Sequence, residues 1–369
     1  MTYLKFNRDQ LLIRNLSERK NKVYIEEDYI PLDYVPGEFP EASLKIIEKT
    51  VLHIKEARKL NRSVMLAFGA HTIKNGLGPA LVALIEQGWI THLATNGAGI
   101  IHDWEFAWQG QSSEDVRENV YLGQFGIWDE TGYFINLALI VGAYEGLGYG
   151  EAIGKMIFHQ GLDIPEPENL FATATEIMKD EPAKAATAIE LANVITKHKI
   201  PVGYLEIPHP YKKYSVQGNA FKLKVPFTGH PMFGHDIIYT HPISHGASIG
   251  RTAENDFLCY AKGVSNLDGG VYISMGSAVM SPMIFEKSLS MSQNIEMQHQ
   301  RHIDNHYILV VDLAKSDWDW KRNGEPPIDN PAYYLRYCKT FNRMGGDMDY
   351  MTADNRDFIL ALYQKLNES

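Results

Sequence analysis

The chain has 369 residues, of which 45% are hydrophobic and 22% charged, and its formal net charge is −10. These values are normal for a globular protein with a sizeable core, and the acidic charge argues against a general nucleic-acid binder, which needs a basic face. Two cysteines, Cys259 and Cys338, are too few for a disulfide scaffold or for a zinc site built from cysteines alone. No apolar run has signal-peptide or transmembrane length, so we expect a cytoplasmic protein with no membrane partner.

The first 40 residues are polar and carry three prolines, and we expect them to form an N-terminal arm. From Glu41 onward, apolar residues recur at spacings of three and four, which predicts a helix. A buried strand is predicted at 63–69, a helix at 79–87 and a second buried strand at 91–95. Two strands joined by a helix of this length indicate a right-handed βαβ unit.

The rest of the chain continues this alternation after a stretch, from about 104 to 200, that we expect to be a helical insertion. Strands are predicted at 201–204, 235–240, 270–276 and 307–312. Helices are predicted at 253–263, 282–292 and 354–366. Alternating strands and helices predict one doubly wound, mostly parallel α/β domain over residues 41–369.

Four of the predicted strands end in small or polar residues. These ends are Gly69-Ala70-His71-Thr72, Thr95-Asn96-Gly97-Ala98-Gly99, Met275-Gly276-Ser277-Ala278 and Asp312-Leu313-Ala314. In open α/β sheets, ligands bind outside the carboxyl ends of the strands. If the four strands are parallel neighbours, a dinucleotide could lie along this edge, with Asp312 accepting from a ribose hydroxyl. None of the turns is a strict GxGxxG, and glycine-rich turns also occur in α/β proteins where no ligand binds.

Several histidines and charged residues lie near these ends. His102 and Asp103 form either an acid/base pair or a polar helix start in which Asp103 caps the helix. His245 and Arg251 follow the strand predicted at 235–240, where they would suit an anionic group, although Arg251 could equally be a solvated residue of a helix. Lys339 taken alone is a surface lysine.

Four histidines fall within a short span, and imidazole is the commonest metal ligand in proteins. They are His230, His235, His241 and His245. A histidine-metal hydrolase is therefore one alternative function. The span contains no HExxH motif, and the predicted strand would separate His235 from His241. We predict pocket-lining and structural histidines here, and no metal site.

The order of these segments resembles that of the deoxyhypusine synthase family, over roughly residues 60–130 and 235–345. The similarity involves His71 through Gly76, Thr95 through Gly99, Asp268-Gly269-Gly270-Val271, Tyr307 through Ala314, and Pro331 through Lys339. The resemblance implies a Rossmann-like sheet, NAD as cofactor and a homo-oligomer, a tetramer or dimer. It implies that NAD contacts residues of the matched turns, among them His71, Thr72, Asn75, Gly269, Gly270, Gly276 and Ser277.

The resemblance also implies that Lys339 forms an imine with a transferred group, with Tyr337 close to the substrate. Lysine suits this role because a desolvated amine has a lowered pKa and becomes nucleophilic. Where the family has carboxylates that hold a polyamine, this chain has His245 and Arg251. We therefore predict an NAD-dependent enzyme acting on a small, non-polyamine amine or an anionic substrate, by dehydrogenation or by transfer through a lysine imine. The second alternative is a non-catalytic nucleotide-binding protein.

Overall fold

A computed structural model describes residues 3–368; Met1, Thr2 and Ser369, at the ends of the predicted arm and domain, lie outside it. The strands are β1 Val23–Tyr24, β2 Val64–Phe68, β3 His92–Asn96, β4 Gln111–Ser112, β5 Gly161–Ile164, β6 Gly203–Glu206, β7 Phe227–His230, β8 Val271–Met275, β9 Tyr307–Asp312 and β10 Asp347–Thr352. The α-helices are α1 Ile25–Asp28, α2 Glu41–Lys59, α3 Ala70–Lys74, α4 Gly78–Glu86, α5 Gly97–Gln109, α6 Val116–Tyr121, α7 Asp129–Glu145, α8 Tyr149–His159, α9 Pro167–Ile177, α10 Pro182–His198, α11 Val216–Leu223, α12 Gly246–Ser265, α13 Met280–Gln298, α14 Trp320–Asn323, α15 Arg336–Asn342 and α16 Asn355–Asn367.

Six strands form one parallel sheet in the order β10-β9-β8-β2-β3-β7. Numbered along the chain, this is the order 6-5-4-1-2-3, which is the strand order of dinucleotide-binding Rossmann folds. The expected doubly wound α/β architecture is therefore confirmed. The order reverses between β2 and β8, and this switch point is where ligands bind in such sheets.

Alternate side chains of each strand pack on opposite faces of the sheet, as the two-residue period of a strand requires. Leu66 and Ile273 share one core with the apolar faces of α2, α4, α5 and α16. Met65 and Tyr272 share the other with residues of α12, α13 and α15. The molecule thus has three layers, and none of its helices in the described part of the chain is long and apolar enough to span a membrane.

The register brings the four predicted ligand-binding strand ends to one edge of the sheet. Phe68 lies opposite Thr95 on one side and Met275 on the other, and Met275 pairs with Val311. The ends of β9, β8, β2 and β3 are therefore neighbours at the same height. We refer to this edge, from Asp312 to Asn96, as the carboxyl edge.

One strand prediction is wrong and another is shifted by two residues. Residues 235–240 do not form a strand: Ile237–Thr240 is a 3-10 helix that packs on α7, where Asn136 Nδ2 donates to the Ile238 carbonyl at 2.9 Å. The edge strand is β7 instead, whose short Thr228-Gly229 sequence is more typical of a turn. The strand predicted at 201–204 is shifted to β6, which pairs with β5 outside the main sheet. β10 was not predicted, because its polar residues alternate with only two buried methionines.

Substituting Gly69 tests the contact at the switch point. A Cβ on Gly69 would overlap the carbonyl oxygen of Gly276, a backbone atom that cannot move aside cheaply. We expect Gly69→Ala to lower the free energy of unfolding by about 1–3 kcal/mol, as overpacking does. Gly250→Ala is the matched control, because a Cβ at this position inside α12 meets nothing within 4 Å; it should stabilise by roughly 0.5–1 kcal/mol. Urea unfolding measures both, and equal effects would contradict the close contact.

Candidate functional site

A cavity of about 230 Å³ lies at the carboxyl edge, where β2 and β3 end. Its walls come from the first turns of α5, from the end of α3, and from four further segments, one of them in the N-terminal arm. The lining residues are Arg19, Lys74, Ala98, Ile101, His102, Glu105, Ser113, Glu114, Val116, Phe125, His235, Asp236 and Ile237. Of the predicted catalytic residues, only His102 is among them.

A buried ion pair forms part of the wall of this cavity. Arg19 donates from both terminal guanidinium nitrogens to Glu105, at 2.8 and 2.6 Å, and both side chains are almost fully buried. Thr131 and Ser112 also donate to Glu105. Burial alone would raise the pKa of Glu105, but the charge and hydrogen bonds of Arg19 hold it below its ordinary value. Glu105 is therefore a fixed carboxylate.

His102 lies one turn before Glu105 on α5 and is connected to it through Ser112. The Ser112 hydroxyl donates its proton to Glu105, so its oxygen accepts from His102 Nδ1, 2.7 Å away. This assigns the Nδ1–H tautomer and leaves Nε2 as an acceptor. Burial lowers the pKa of His102 to about 4, Glu105 opposes the shift, and Lys74 and Arg19 add to it. His102 is thus a neutral imidazole whose Nε2 has a free lone pair, and its lowered pKa makes it a weak proton acceptor.

Asp236 supplies a second titratable group to the cavity, and it lies directly against the start of α5. A Cβ on Gly97 would overlap the Asp236 carboxyl group, so the absence of a side chain at Gly97 allows this approach. The Oδ2 atom of Asp236 is buried and has no hydrogen-bond partner among the described residues. Burial raises the pKa of Asp236 to about 6, while His235 and the Met232 amide oppose the shift.

The polar side chains of the turn after β3 have partners within the protein, and the contact of this turn with a cofactor stays a prediction. Thr95 Oγ1 donates to the Phe68 carbonyl at 2.9 Å, and the Asn96 side chain caps α5 by accepting from the Gly99 amide at 3.0 Å. The close neighbour of Gly97 is Asp236. In this turn only Ala98 reaches the cavity wall.

Asp103 is not the partner of His102. It is fully buried on another side of α5, where it accepts from Ser215 Oγ at 2.6 Å and from the backbone amides of Val216 and Gln217 at 2.7 and 3.1 Å. These amides start α11, so Asp103 caps the N-terminus of a different helix. The acid/base pair proposed from sequence is therefore replaced by a structural carboxylate and an independent histidine.

The switch point between β2 and β8 is the second part of the carboxyl edge. Gly69 contacts Gly276 closely, and Asn355 joins the two turns by donating to Thr72 Oγ1 at 3.2 Å. Gly276 is exposed with a φ of 56°, and Ser277 follows it at the entrance to α13. Among the described residues, the backbone amides of Ser277, Ala278 and Val279 find no protein acceptor. Free amides ahead of a long helix form a site that suits an anion.

His71 and Asn75 lie beside this point, on α3 and at its end. His71 is exposed, and the backbone of Asn75 ends the helix by donating to the His71 and Ile73 carbonyls. At the next strand end, Asp312 is half-buried and accepts from the Ala314 amide at 3.0 Å. Its carboxylate therefore lies at the carboxyl edge, two strands from β2.

Lys339 and Tyr337 belong to α15, which packs on the face of the sheet opposite to α5. Tyr337 lies close enough to Asp312 for the two to interact electrostatically. Lys339 places its ammonium 3.5 Å from the centre of the Tyr333 ring, in a cation–π contact. It does not line the cavity that contains His102.

Gly269 and Gly270 are at the wrong edge of the sheet for the predicted cofactor contact. They precede β8, so they lie at its amino end, whereas the site residues follow the strands. Their amides donate to the Asn305 and Leu267 carbonyls at 2.7 Å each, which closes the loop before β8. The φ of 75° at Gly269 explains the glycine there.

His245 and Arg251 also have structural partners. His245 caps α12 by accepting at Nδ1 from the Ser248 amide, and burial lowers its pKa. Arg251 pairs with Glu190 of α10 at 3.3 Å, so it is not the anion site predicted from sequence. Neither residue lines the cavity.

The four histidines of the suspected metal cluster do not converge. His230 bonds to Thr228 at 2.9 Å, His241 lies 3.0 Å from Asp129, and His235 is exposed at the cavity. Within residues 3–368, no three His, Cys, Asp or Glu side chains are arranged to hold a metal ion. The geometry gives no support to the alternative of a histidine-metal hydrolase.

Sequence reasoning did not identify Arg19, Lys74, Glu105, Ser112 and Asp236 as site residues. Glu105 would have been found if the helix had been predicted to begin at Gly97, where the structure has it, because His102 and Glu105 are then one turn apart on the same face. Lys74 lies within His71 through Gly76, a segment that resembles a motif of the deoxyhypusine synthase family. Arg19 and Asp236 carry no local signal, since they are 86 and 131 residues from Glu105 in the chain.

No protein-family model matches the chain, and no curated protein matches it. Among solved structures, a conserved putative LOR/SDH protein from Methanococcus maripaludis S2 is 12% identical with a TM-score of 0.42, covering 90% of this chain and 69% of that one. Unliganded AgrE is 13% identical with a TM-score of 0.45, over 89% of this chain and 34% of AgrE. ArgZ, an arginine dihydrolase from Cyanobacteria, is 12% identical with a TM-score of 0.41, over 87% of this chain and 32% of ArgZ. The chain thus spans about a third of AgrE and ArgZ, and its fold class is shown by its own sheet.

The protonation state assigned to His102 can be measured directly. Because its pKa is lowered to about 4, the imidazole should remain neutral, in the Nδ1–H tautomer, as the pH falls from 7 to 5. We expect ¹⁵N NMR of the histidine side chains to show this, with His102→Gln identifying the signal. Exposed His71 serves as the internal comparison within the same spectrum. A His102 signal that titrates near 6.5, the value of an ordinary histidine, would contradict the assignment.

Proposed function

We propose that the protein is an NAD-dependent enzyme that acts on a small amine or anionic substrate at the cavity beside β3. The observation that carries the proposal is the 6-5-4-1-2-3 order of the sheet, whose switch point lies at Gly69 and Gly276. The cavity with the neutral imidazole of His102 lies at the same edge. Dinucleotide site and reaction site are adjacent in enzymes built on this sheet order.

The residues at the switch point suit NAD, in an arrangement different from the GxGxxG pattern. The free amides of Ser277, Ala278 and Val279 would hold the pyrophosphate at the start of α13. Asp312, with one hydrogen bond to its own turn, would accept from a ribose hydroxyl. When bound, NAD⁺ supplies an acceptor for the hydride that leaves the substrate carbon.

The chain's own contribution to the reaction is a base in a small, closed space. His102 Nε2 would take the proton from the substrate N–H or O–H as the C–N or C–O bond is oxidised. Glu105, reached through Ser112, would then stabilise the imidazolium electrostatically. Lys74 would balance the charge of an anionic substrate. A transfer through a lysine imine would use Lys74, which lines the cavity, and not Lys339.

Binding of NAD tests the first half of this proposal. We expect calorimetry to give one NAD per chain, and we expect Ala278→Glu to weaken binding at least tenfold, because a carboxylate among the free amides repels the pyrophosphate. Ser290→Glu, at an exposed position farther along α13, is the control and should bind as the unchanged protein does. No binding at millimolar NAD, or equal effects of the two variants, would refute the proposed cofactor site.

Replacement of the base tests the second half. In an assay of NADH formation with a panel of small amines, amino acids and hydroxy acids, His102→Asn should lower the rate by about 10²–10⁴-fold. NAD binding should be unchanged, since His102 lies outside the switch point. NAD binding without NADH formation from any compound would favour the alternative of a non-catalytic nucleotide-binding protein. A fully active His102→Asn enzyme would exclude His102 as the base.

A further inference from the structure

Two carboxylates of the cavity, Glu105 and Glu114, are hydrogen-bonded to protein partners. Glu105 is paired with Arg19, and Glu114 accepts from Asn119, from the Gly126 amide and from the Trp128 indole at 2.6, 3.0 and 3.1 Å. Their positions are fixed by these protein contacts. They form a rigid wall, and what the cavity binds is decided by the groups that remain.

Two side chains of opposite charge, Lys74 and Asp236, lack such partners within the described chain. Lys74 takes part in none of the ion pairs between described residues. Asp236 Oδ2 is buried without a partner. Both line the same cavity but do not bond to each other. A ligand with a negative and a positive end would satisfy both groups at once.

The surroundings of Asp236 support an ammonium ligand. The hydroxyls of Tyr149 and Tyr239 are buried near it, and neither donates to it. Burial raises the pKa of both tyrosines, and the charge of Asp236 adds to the shift. The carboxylate is therefore short of hydrogen-bond donors. A primary ammonium group supplies three N–H donors on one atom, which a neutral or anionic ligand does not.

The size of the cavity limits the ligand. An apolar cavity of about 150 Å³ holds a benzene molecule, so 230 Å³ leaves room for a slightly larger molecule of about eight to ten non-hydrogen atoms. We propose that the cavity binds a small zwitterion, an amino-acid-like molecule with its carboxylate on Lys74 and its ammonium group on Asp236. This deepens the proposed function, and it depends on that function only for the claim that the zwitterion is the substrate.

Four probes of similar length test the proposal without NAD. L-norvaline and δ-aminovalerate carry both charges at two different spacings, valerate carries only the negative charge, and pentylamine only the positive one. In calorimetry with the native protein, at least one zwitterion should bind ten times more tightly than both singly charged probes. If neither zwitterion does so, the proposal is wrong, whatever the outcome of the NAD experiments.

Two variants assign the ends of the ligand. In Asp236→Asn, the zwitterion should bind no more tightly than valerate. In Lys74→Gln, it should bind no more tightly than pentylamine. Asp304→Asn and Lys59→Gln change exposed residues of the same types and should leave all four affinities unchanged. Unchanged zwitterion affinity in Asp236→Asn or Lys74→Gln would overturn the assignment. Zwitterion binding in a protein that does not bind NAD would retain this site while refuting the proposed function.

Discussion

The cavity depends on the buried ion pair between Arg19 and Glu105. Taking two charges out of water costs several kcal/mol per ion, and only good geometry and further hydrogen bonds offset this cost. Here the contact is bidentate, and Ser112 and Thr131 occupy the remaining acceptor positions of the carboxylate. The pair holds the N-terminal arm against α5, because Arg19 has no comparable partner elsewhere in the described chain. It also fixes the proton of Ser112, and through it the tautomer of His102.

Buried carboxylates occupy several helix N-termini in this fold, and this shows where a ligand can bind. Asp103 caps α11, Asp256 accepts from the Gly150 amide at the start of α8 at 2.8 Å, and Asp236 lies against the start of α5. Each of these sites already holds an acid of the protein. At the carboxyl edge, the turn before α13 retains free amides. In the proposed function, the phosphates of a dinucleotide would therefore lie at β8, and the turn after β3 would form the substrate side.

Local patterns in the sequence predicted the sheet but not the site. Continuous apolar runs such as Val64–Phe68 and Tyr307–Asp312 show buried parallel strands, and their ends do meet at one edge. The misplacement of Gly269 and Gly270 was avoidable, since glycines that precede a parallel strand lie at the opposite edge from those that follow one. The partners of Glu105 and Gly97 could not be predicted. Arg19 and Asp236 approach them only through the tertiary fold, and no short-range period records such contacts.

The two halves of the carboxyl edge are joined by α3, a helix of only five residues. Thr72 on this helix accepts from Asn355, which packs against Gly276 on the cofactor side, while Lys74, two residues later, lines the cavity. The helix also packs against α5, which carries His102. A cofactor that displaces the Gly276 turn would therefore act on Thr72 and Asn355 first, and through the same short helix on the position of Lys74. Because packed elements of this kind shift as units and do not deform continuously, a cofactor bound as proposed would affect the position of Lys74, the charge proposed to face the substrate.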